Sequence, residues 1–282
     1  MTWDAAVGLN MFVLYGSALY ALGSALFVLT VEWPQAASQR PGRCAAAIAV
    51  LAFVLAVGLG GGAMLGEGAD VLLSGEAWRL AFGTSLGTSA ALGVPAMLAL
   101  AWGLGRSAGA WRAVGVVLGL AAFLVTGHAA TVAPRWLMAP AVGLHIAAVA
   151  FWLGALAPLF TVVRTQTPAE AGAVMQRFSR IAVIAVTALI ASGIAITLVE
   201  IPGGVGLTDT AYGARLLLKL AAFAGLLTLA TVNKFVLTPR LEEGDAEAAT
   251  ALRRAIVMEL CVFAVVIAGA AALALAEPPR SL

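Results

Sequence analysis

The chain contains two histidines, His128 and His145, and both lie where an imidazole can do chemistry. His145 lies about 8 residues inside an apolar segment, which is ~12 Å below its outer end at 1.5 Å per residue. His128 ends the preceding apolar segment, across a short loop. An ionisable side chain within an apolar segment indicates a functional site. We therefore predict that both rings reach one region at the outer side of a membrane.

Methionines are the candidate sulfur ligands, and one of them, Met138, lies near these histidines in the sequence. Met138 precedes His145 by seven residues and Trp152 follows it by seven, so all three share one helical face. Imidazole and thioether together suit copper, and soft sulfur favours Cu(I). The alternative for each methionine is a gap-filling role in an apolar core. The candidate metal ligands are His128, His145, Met138, Met64 and Met11.

Several charged or polar residues lie deeper in apolar segments. Lys219 and Arg215 are one turn apart, and Glu259 lies inside the last segment, where it needs a partner. Lys219 and Glu259 enter from opposite sides, so a direct bridge between them is not expected. The candidate partners of Glu259 are Asn233, Lys234 and Arg253. The residues that either line a translocation path or support the bundle are Glu259, Lys219, Arg215, Asn233 and Trp152.

Signatures of enzymes are absent from the sequence. It holds no Walker A sequence and no CxxC pair, and the glycines at 58–62 lie inside an apolar segment, where a dinucleotide fingerprint does not occur. We therefore expect a protein without catalytic activity.

The amino-acid composition indicates the class of protein to which these residues belong. Of 282 residues, 62% are hydrophobic and 11% are charged. These values exclude a soluble globular enzyme, a disordered chain and a nucleic-acid binder. Apolar runs of about 20 residues have the length of membrane helices and exclude a β-barrel. The predicted fold is all-α, a polytopic membrane helix bundle. Its eight spans are 6–31, 44–65, 83–104, 111–130, 137–163, 180–199, 214–237 and 254–276.

We interpret the chain as a single integral membrane domain, 1–282, with four N-terminal spans in 1–130 and four more in 137–276. Eleven of the sixteen lysines and arginines fall on one side of these spans and five on the other. The positive-inside rule places the richer side in the cytoplasm. Both termini are then periplasmic, in a bacterial inner membrane. The polar stretch Thr238–Thr250 is predicted to be an acidic cytoplasmic loop.

Two glycine-rich stretches, Gly58–Gly66 and Gly83–Gly93, would break helices in water. Within a membrane, glycines instead allow two helix backbones to approach closely. We therefore predict close helix contacts at both stretches.

The second half of the chain resembles the copper resistance protein D family, over roughly 120–276. The first four spans match that family only in number and hydrophobicity. The motifs that carry the resemblance are TGHA at 126–129, HIAAVAFWLG at 145–154, RFSR at 177–180, Ser192-Gly193, YGARLLLK at 212–219 followed by Asn233, and LRRAIVME at 252–259.

This resemblance implies an eight-span inner-membrane protein that transports or handles copper, as Cu(I) or Cu(II). It also implies a periplasmic copper carrier of the CopC type as the donor. Two other functions stay open on the residues alone. One is a haem-b electron-transfer protein with His128 and His145 as axial ligands. The other is a metal-free membrane assembly partner.

Overall fold

The computed structural model describes residues 2–31, 39–66, 71–73, 75–106, 108–127, 130, 132–200 and 211–274. Within these ranges the regular structure is helical, with no strand. The helices are α1 (Trp3–Val31), α2 (Arg40–Leu65), α3 (Gly75–Phe82), α4 (Ser85–Arg106), α5 (Gly109–Leu124), α6 (Arg135–Thr165), α7 (Pro168–Glu200), α8 (Ala211–Val232), α9 (Thr238–Glu242) and α10 (Ala246–Ala274). A 3₁₀ turn covers Val71–Leu73, and a π-helical turn, Asn233–Leu237, joins α8 to α9.

Within the described residues, seven helical runs have the length and the apolar character of a membrane span, which supports the predicted multi-pass membrane protein. They are α1, α2, α4, α6, α7, the continuous run Gly213–Glu242, and α10. The predicted segment 111–130 forms the shorter apolar helix α5. Its 16 residues extend ~24 Å, against a hydrocarbon core of ~30 Å. Seven of the eight predicted segments thus meet the criteria of a span.

Two apolar cores share α1. The first core packs α1 against α2, α4 and α5, around side chains such as Phe53 and Met97. The second core packs the C-terminal end of α1, including Phe27, against helices from α6 to α10. Because α1 contributes to both cores, it joins the N-terminal helices to the C-terminal ones.

Helices α1 and α6 cross at two glycines. A Cβ atom added to Gly23 would lie 1.6 Å from the carbonyl oxygen of Ala150. A Cβ added to Gly154 would lie 2.1 Å from the backbone carbon of Gly23. Only hydrogen fits at these positions, as in other close crossings of membrane helices. This crossing fixes the depth of α6, which carries His145 and Trp152.

The glycine-rich stretches predicted from sequence do form close contacts. A Cβ on Gly61 of α2 would lie 2.2 Å from the carbonyl oxygen of Ala77 in α3. A Cβ on Gly93 of α4 would lie 2.4 Å from the ring of Phe53. The glycines therefore let α3 and α4 pack directly on α2.

The predicted loop Thr238–Thr250 is wrong in extent, because most of it is helical. Helix α9 and the first turn of α10 occupy it, leaving a short turn between them. Asp245 explains where α10 begins: its Oδ1 accepts hydrogen bonds from the backbone N–H groups of Glu247 and Ala248. This is an N-cap, which satisfies donors at the start of a helix. Arg240 also binds Asp245, at 2.7 Å.

Candidate functional site

His145 projects from α6 onto α7, where Ser192 holds its ring. The Nδ1 atom of His145 lies 3.3 Å from Ser192 Oγ. The single hydroxyl proton of Ser192 is donated to the carbonyl oxygen of Leu189, at 3.1 Å. With its proton given to Leu189, Ser192 Oγ is an acceptor, and the tautomer that fits this arrangement carries the ring proton on Nδ1 of His145. The lone pair of the neutral imidazole then lies on Nε2, the atom that can bind a metal.

Small residues of α7 make room for this ring. Ser192 is 3% exposed, and its neighbour Gly193 has no side chain. A Cβ added to Gly193 would lie 3.6 Å from Cε1 of His145. The imidazole thus lies against the backbone of α7, in a fixed orientation. Fixing the ring in this way lowers the cost of ordering a metal ligand.

The third helix around this region is α8. Its Lys219 lies within electrostatic range of His145 and also has a bonding partner of its own. Arg215, one turn earlier, is exposed and donates from Nη1 to the carbonyl oxygen of Ala272 in α10, at 3.4 Å. Lys219 therefore lies near the candidate metal ligand His145, while Arg215 joins the start of α8 to the end of α10.

The candidate methionines lie in different surroundings. Met138 is fully buried and precedes His145 by two turns of α6, which is ~10 Å along the helix axis. Met11 is partly buried on α1. Met64 is 48% exposed at the end of α2, a helix that packs on α1, α3 and α4. The methionines therefore stay predictions as ligands, with Met138 placed on the same helix as His145.

The other predicted ligand, His128, lies outside the described residues. Among those that are described, no three His, Cys, Asp or Glu side chains come together in a way that could hold a metal ion. A metal site at His145 would therefore depend on methionine sulfur or on His128. Both ligand types suit copper.

A second polar cluster is formed by Glu259, Trp152 and Asn233, which are 3%, 5% and 7% exposed. Trp152 donates its Nε1–H to Oε2 of Glu259 at 2.9 Å. Asn233 donates from Nδ2 to Oε1 at 2.5 Å. Each carboxyl oxygen of Glu259 thus has one hydrogen-bond partner. The cluster joins α6, the π-helical turn and α10.

Local structure explains how these three side chains meet. The Trp152 ring packs edge-on against Phe263, one turn after Glu259 on α10, with ring centroids 5.6 Å apart. Asn233 begins the π-helical turn, and its carbonyl oxygen accepts from both the backbone N–H and the hydroxyl of Thr238. The backbone at Asn233 is therefore held in place. Turns of this kind are rare and frequently occur at functional sites.

One atom of this cluster is left without a partner. Oδ1 of Asn233 is buried and makes no hydrogen bond. A buried amide oxygen without a donor costs about 1–3 kcal/mol of stability. A buried polar atom without a partner in a native structure requires an explanation. It marks the place where a donor or a cation would be stabilised.

Sequence reasoning found part of this arrangement. Of the three candidate partners of Glu259, Asn233 is the one that binds it. Lys234 instead lies 5.2 Å from the ring of Phe235, and Arg253 donates to Thr250. Sequence reasoning placed Trp152 among the residues of a path or of bundle support, but it did not predict the bond from Trp152 to Glu259 or the contact of Ser192 with His145. The signals were the seven-residue spacing from His145 to Trp152 and the small pair Ser192-Gly193 inside an apolar helix.

Residues 172–273 match the family model described as Copper resistance protein D. The match begins in the second turn of α7 and ends in α10, so it includes Ser192, Asn233 and Glu259. His145 and Trp152 precede it on α6. No curated protein and no solved structure matches the chain.

Proposed function

We propose that this protein transports copper across the inner membrane of a bacterium, because residues 172–273 match the family model described as Copper resistance protein D. The observation that carries this proposal is the orientation of His145. Ser192 occupies its Nδ1 atom, which leaves Nε2 as a metal ligand within the outer half of the bundle. Family and geometry together favour copper as the substrate.

The proposed topology has eight spans: the seven long apolar runs and, in addition, the shorter helix α5. A helix of 16 residues can cross if the bilayer thins locally or if its flanking residues reach the interface. Both termini would then face the periplasm, which agrees with the excess of basic residues on the opposite side. His145 would lie in the periplasmic half of the membrane.

The proposed capture site combines His145 with His128 and Met138, and Met64 and Met11 are further candidates. Mixed imidazole and thioether ligands hold Cu(I) without excluding Cu(II). A transport site must also release its ion, so binding must be moderate. A periplasmic carrier of the CopC type is the proposed donor, because the site opens to that side in the proposed topology.

The test is the metal content of the purified protein, loaded with Cu(I) under reducing conditions. We expect copper equimolar with the chain, and loss of this copper in the His128→Ala/His145→Ala double variant. Met138→Leu is expected to weaken binding, because it removes the nearest sulfur on α6. Met258→Leu is its matched control, since Met258 is 54% exposed on α10.

An absorption spectrum of the same samples tests the alternatives. A Soret band that is lost in the double variant would contradict copper capture and favour the haem-b protein. Protein without copper or haem, but bound to other membrane subunits, would favour the assembly partner. Copper that stays in the double variant would place the site away from His128 and His145.

A further inference from the structure

Glu259 is a carboxyl group enclosed by the membrane-spanning helices. It is 3% exposed, and its partner Trp152 lies near the middle of α6. A carboxylate removed from water is costly unless a charge or several hydrogen bonds compensate. Its two hydrogen-bond donors, Trp152 and Asn233, are both neutral. The enclosure therefore favours a form of Glu259 that carries a bound cation or a proton.

Trp152 can donate its hydrogen bond to Glu259 in either protonation state of the carboxyl group. Its N–H is a donor only, and Oε2 can accept that hydrogen bond as a carboxylate oxygen or as the carbonyl oxygen of the acid. Trp152 is itself held edge-on against Phe263. This contact fixes the Oε2 side of the carboxyl group and leaves Oε1 as the side that can change.

Asn233 can bind Oε1 of Glu259 in both protonation states, because an amide has a donor and an acceptor. Its N–H can donate to a carboxylate oxygen, and its oxygen can accept the O–H of the acid. In the arrangement described, Nδ2 donates to Oε1 and Oδ1 is buried without a partner. Turning the amide over would bring Oδ1 to Oε1, where it would accept the O–H of a protonated Glu259.

We propose that Glu259 is an exchangeable proton-binding site inside the membrane, and that Asn233 turns its amide to match the protonation state. In the protonated state, Oε1–H donates to Asn233 Oδ1. On release, the O–H bond breaks, its electron pair stays on Oε1, and the proton leaves to a water molecule. The amide then turns so that Nδ2 donates to the carboxylate.

The ligand set favours a proton over a metal ion. Oxygen atoms of a carboxyl and an amide are hard ligands, which copper does not prefer. A hard metal ion takes about six or more oxygen ligands, and this cluster supplies three. One proton is satisfied by a single acceptor, which Oδ1 of Asn233 provides.

Other titratable groups occur on the elements that pack against α10. Among the described residues, the hydrogen-bond partners of Glu259 are Trp152 and Asn233, neither of which carries a charge. On α10 itself, Cys261 is exposed. The described groups on the packed elements are Asp4, Tyr15 and Tyr20 on α1, Arg135, His145 and Arg164 on α6, Arg215 and Lys219 on α8, Lys234 in the π-helical turn, and Arg240 and Glu242 on α9. Helix α10 itself also carries Glu247, Arg253 and Arg254.

This proposal does not rest on copper transport, and its test uses the copper-free protein. The full chain in lipid is studied by infrared difference spectroscopy at about pH 7, where exposed carboxyls are ionised. We expect a carboxylic acid C=O band that shifts on transfer to D₂O and is lost in Glu259→Gln. Glu247→Gln is the matched control, because Glu247 is an exposed acid on the same helix.

Asn233→Ala gives an independent readout that does not need Glu259 to be replaced. It removes the acceptor of the acid proton, so we expect the C=O band to move in frequency. An unmoved band in this variant would overturn the role of Asn233. A band kept in Glu259→Gln, no band at any pH, or no shift in D₂O would overturn proton exchange at Glu259. Loss of the band on adding Na⁺ at constant pH would show a metal site instead.

Discussion

Trp152 Nε1 lies 2.9 Å from Glu259 Oε2, a hydrogen bond that joins residues 107 positions apart in the chain. Trp152 belongs to α6, which precedes the region matched by the family model, and Glu259 belongs to α10 within it. The bond therefore connects the helix of the candidate copper ligand His145 to the family region. Both residues are buried.

Trp152→Phe is expected to destabilise the bundle by about 1–3 kcal/mol, because it leaves a buried carboxyl oxygen without its donor. The loss of ring volume adds to this cost. Thermal unfolding in detergent measures the effect. Trp136→Phe is the control, since Trp136 is 79% exposed on the same helix. Equal unfolding temperatures for the two variants would contradict the role of this hydrogen bond.

Ser192→Ala is expected to weaken Cu(I) binding by about 10- to 100-fold, because the acceptor that orients His145 is removed. A competition titration with a Cu(I) chelator measures the affinity. Thr187→Ala, on the same helix, should bind like the parent protein, since its hydroxyl bonds only to Val183 of its own helix. Unchanged affinity in Ser192→Ala would mean that Ser192 does not orient a copper ligand.

Gly23→Ala is expected to prevent the normal crossing of α1 and α6, because the new Cβ would lie 1.6 Å from the Ala150 carbonyl oxygen. The expected result is loss of monodisperse protein in size-exclusion chromatography. Gly16→Ala on the same helix meets no atom within 4 Å. That variant should be as stable as the parent, or more stable by up to about 1 kcal/mol. Normal behaviour of Gly23→Ala would refute the crossing.

Asp245, in the turn before α10, makes the stability of the fold depend on pH. Its hydrogen bond with Arg240 and those with the backbone of Ala248 and Glu247 lower the pKa of this carboxyl below its ordinary value. A group whose folded pKa is lowered stabilises the fold above its unfolded pKa, and this stability is lost as pH falls. Asp245→Asn should therefore reduce the decline of thermal stability below about pH 4. An identical acid decline in parent and variant would contradict this contribution.

The helices and their order could be predicted because an apolar run of about 20 residues has few stable forms in a bilayer. The glycine contacts could also be predicted, since a glycine such as Gly61 has a clear use where two helices touch. Helix ends were harder. The predicted loop Thr238–Thr250 failed because Asp245 caps a helix inside a polar stretch, and polarity alone does not distinguish a loop from the first turn of a helix.

The site could be predicted only in part, because side-chain pairing depends on which helices are neighbours. Sequence marked His145 and Glu259 as buried ionisable groups that need partners. It did not show that α7 brings Ser192 to His145, or that α6 brings Trp152 to Glu259. The π-helical turn at Asn233 was also not predictable, because one extra residue in a helical turn leaves no clear sign in an apolar pattern.

The central claim is that this protein moves copper through a site that includes His145. The most direct measurement is Cu(I) entry into liposomes that contain the purified protein, followed by a copper-sensitive dye in the lumen. We expect entry well above protein-free liposomes, at least tenfold slower entry with His145→Ala, and parent-like entry with Thr187→Ala. Entry no faster than in protein-free liposomes, or equal entry with His145→Ala, would contradict the claim.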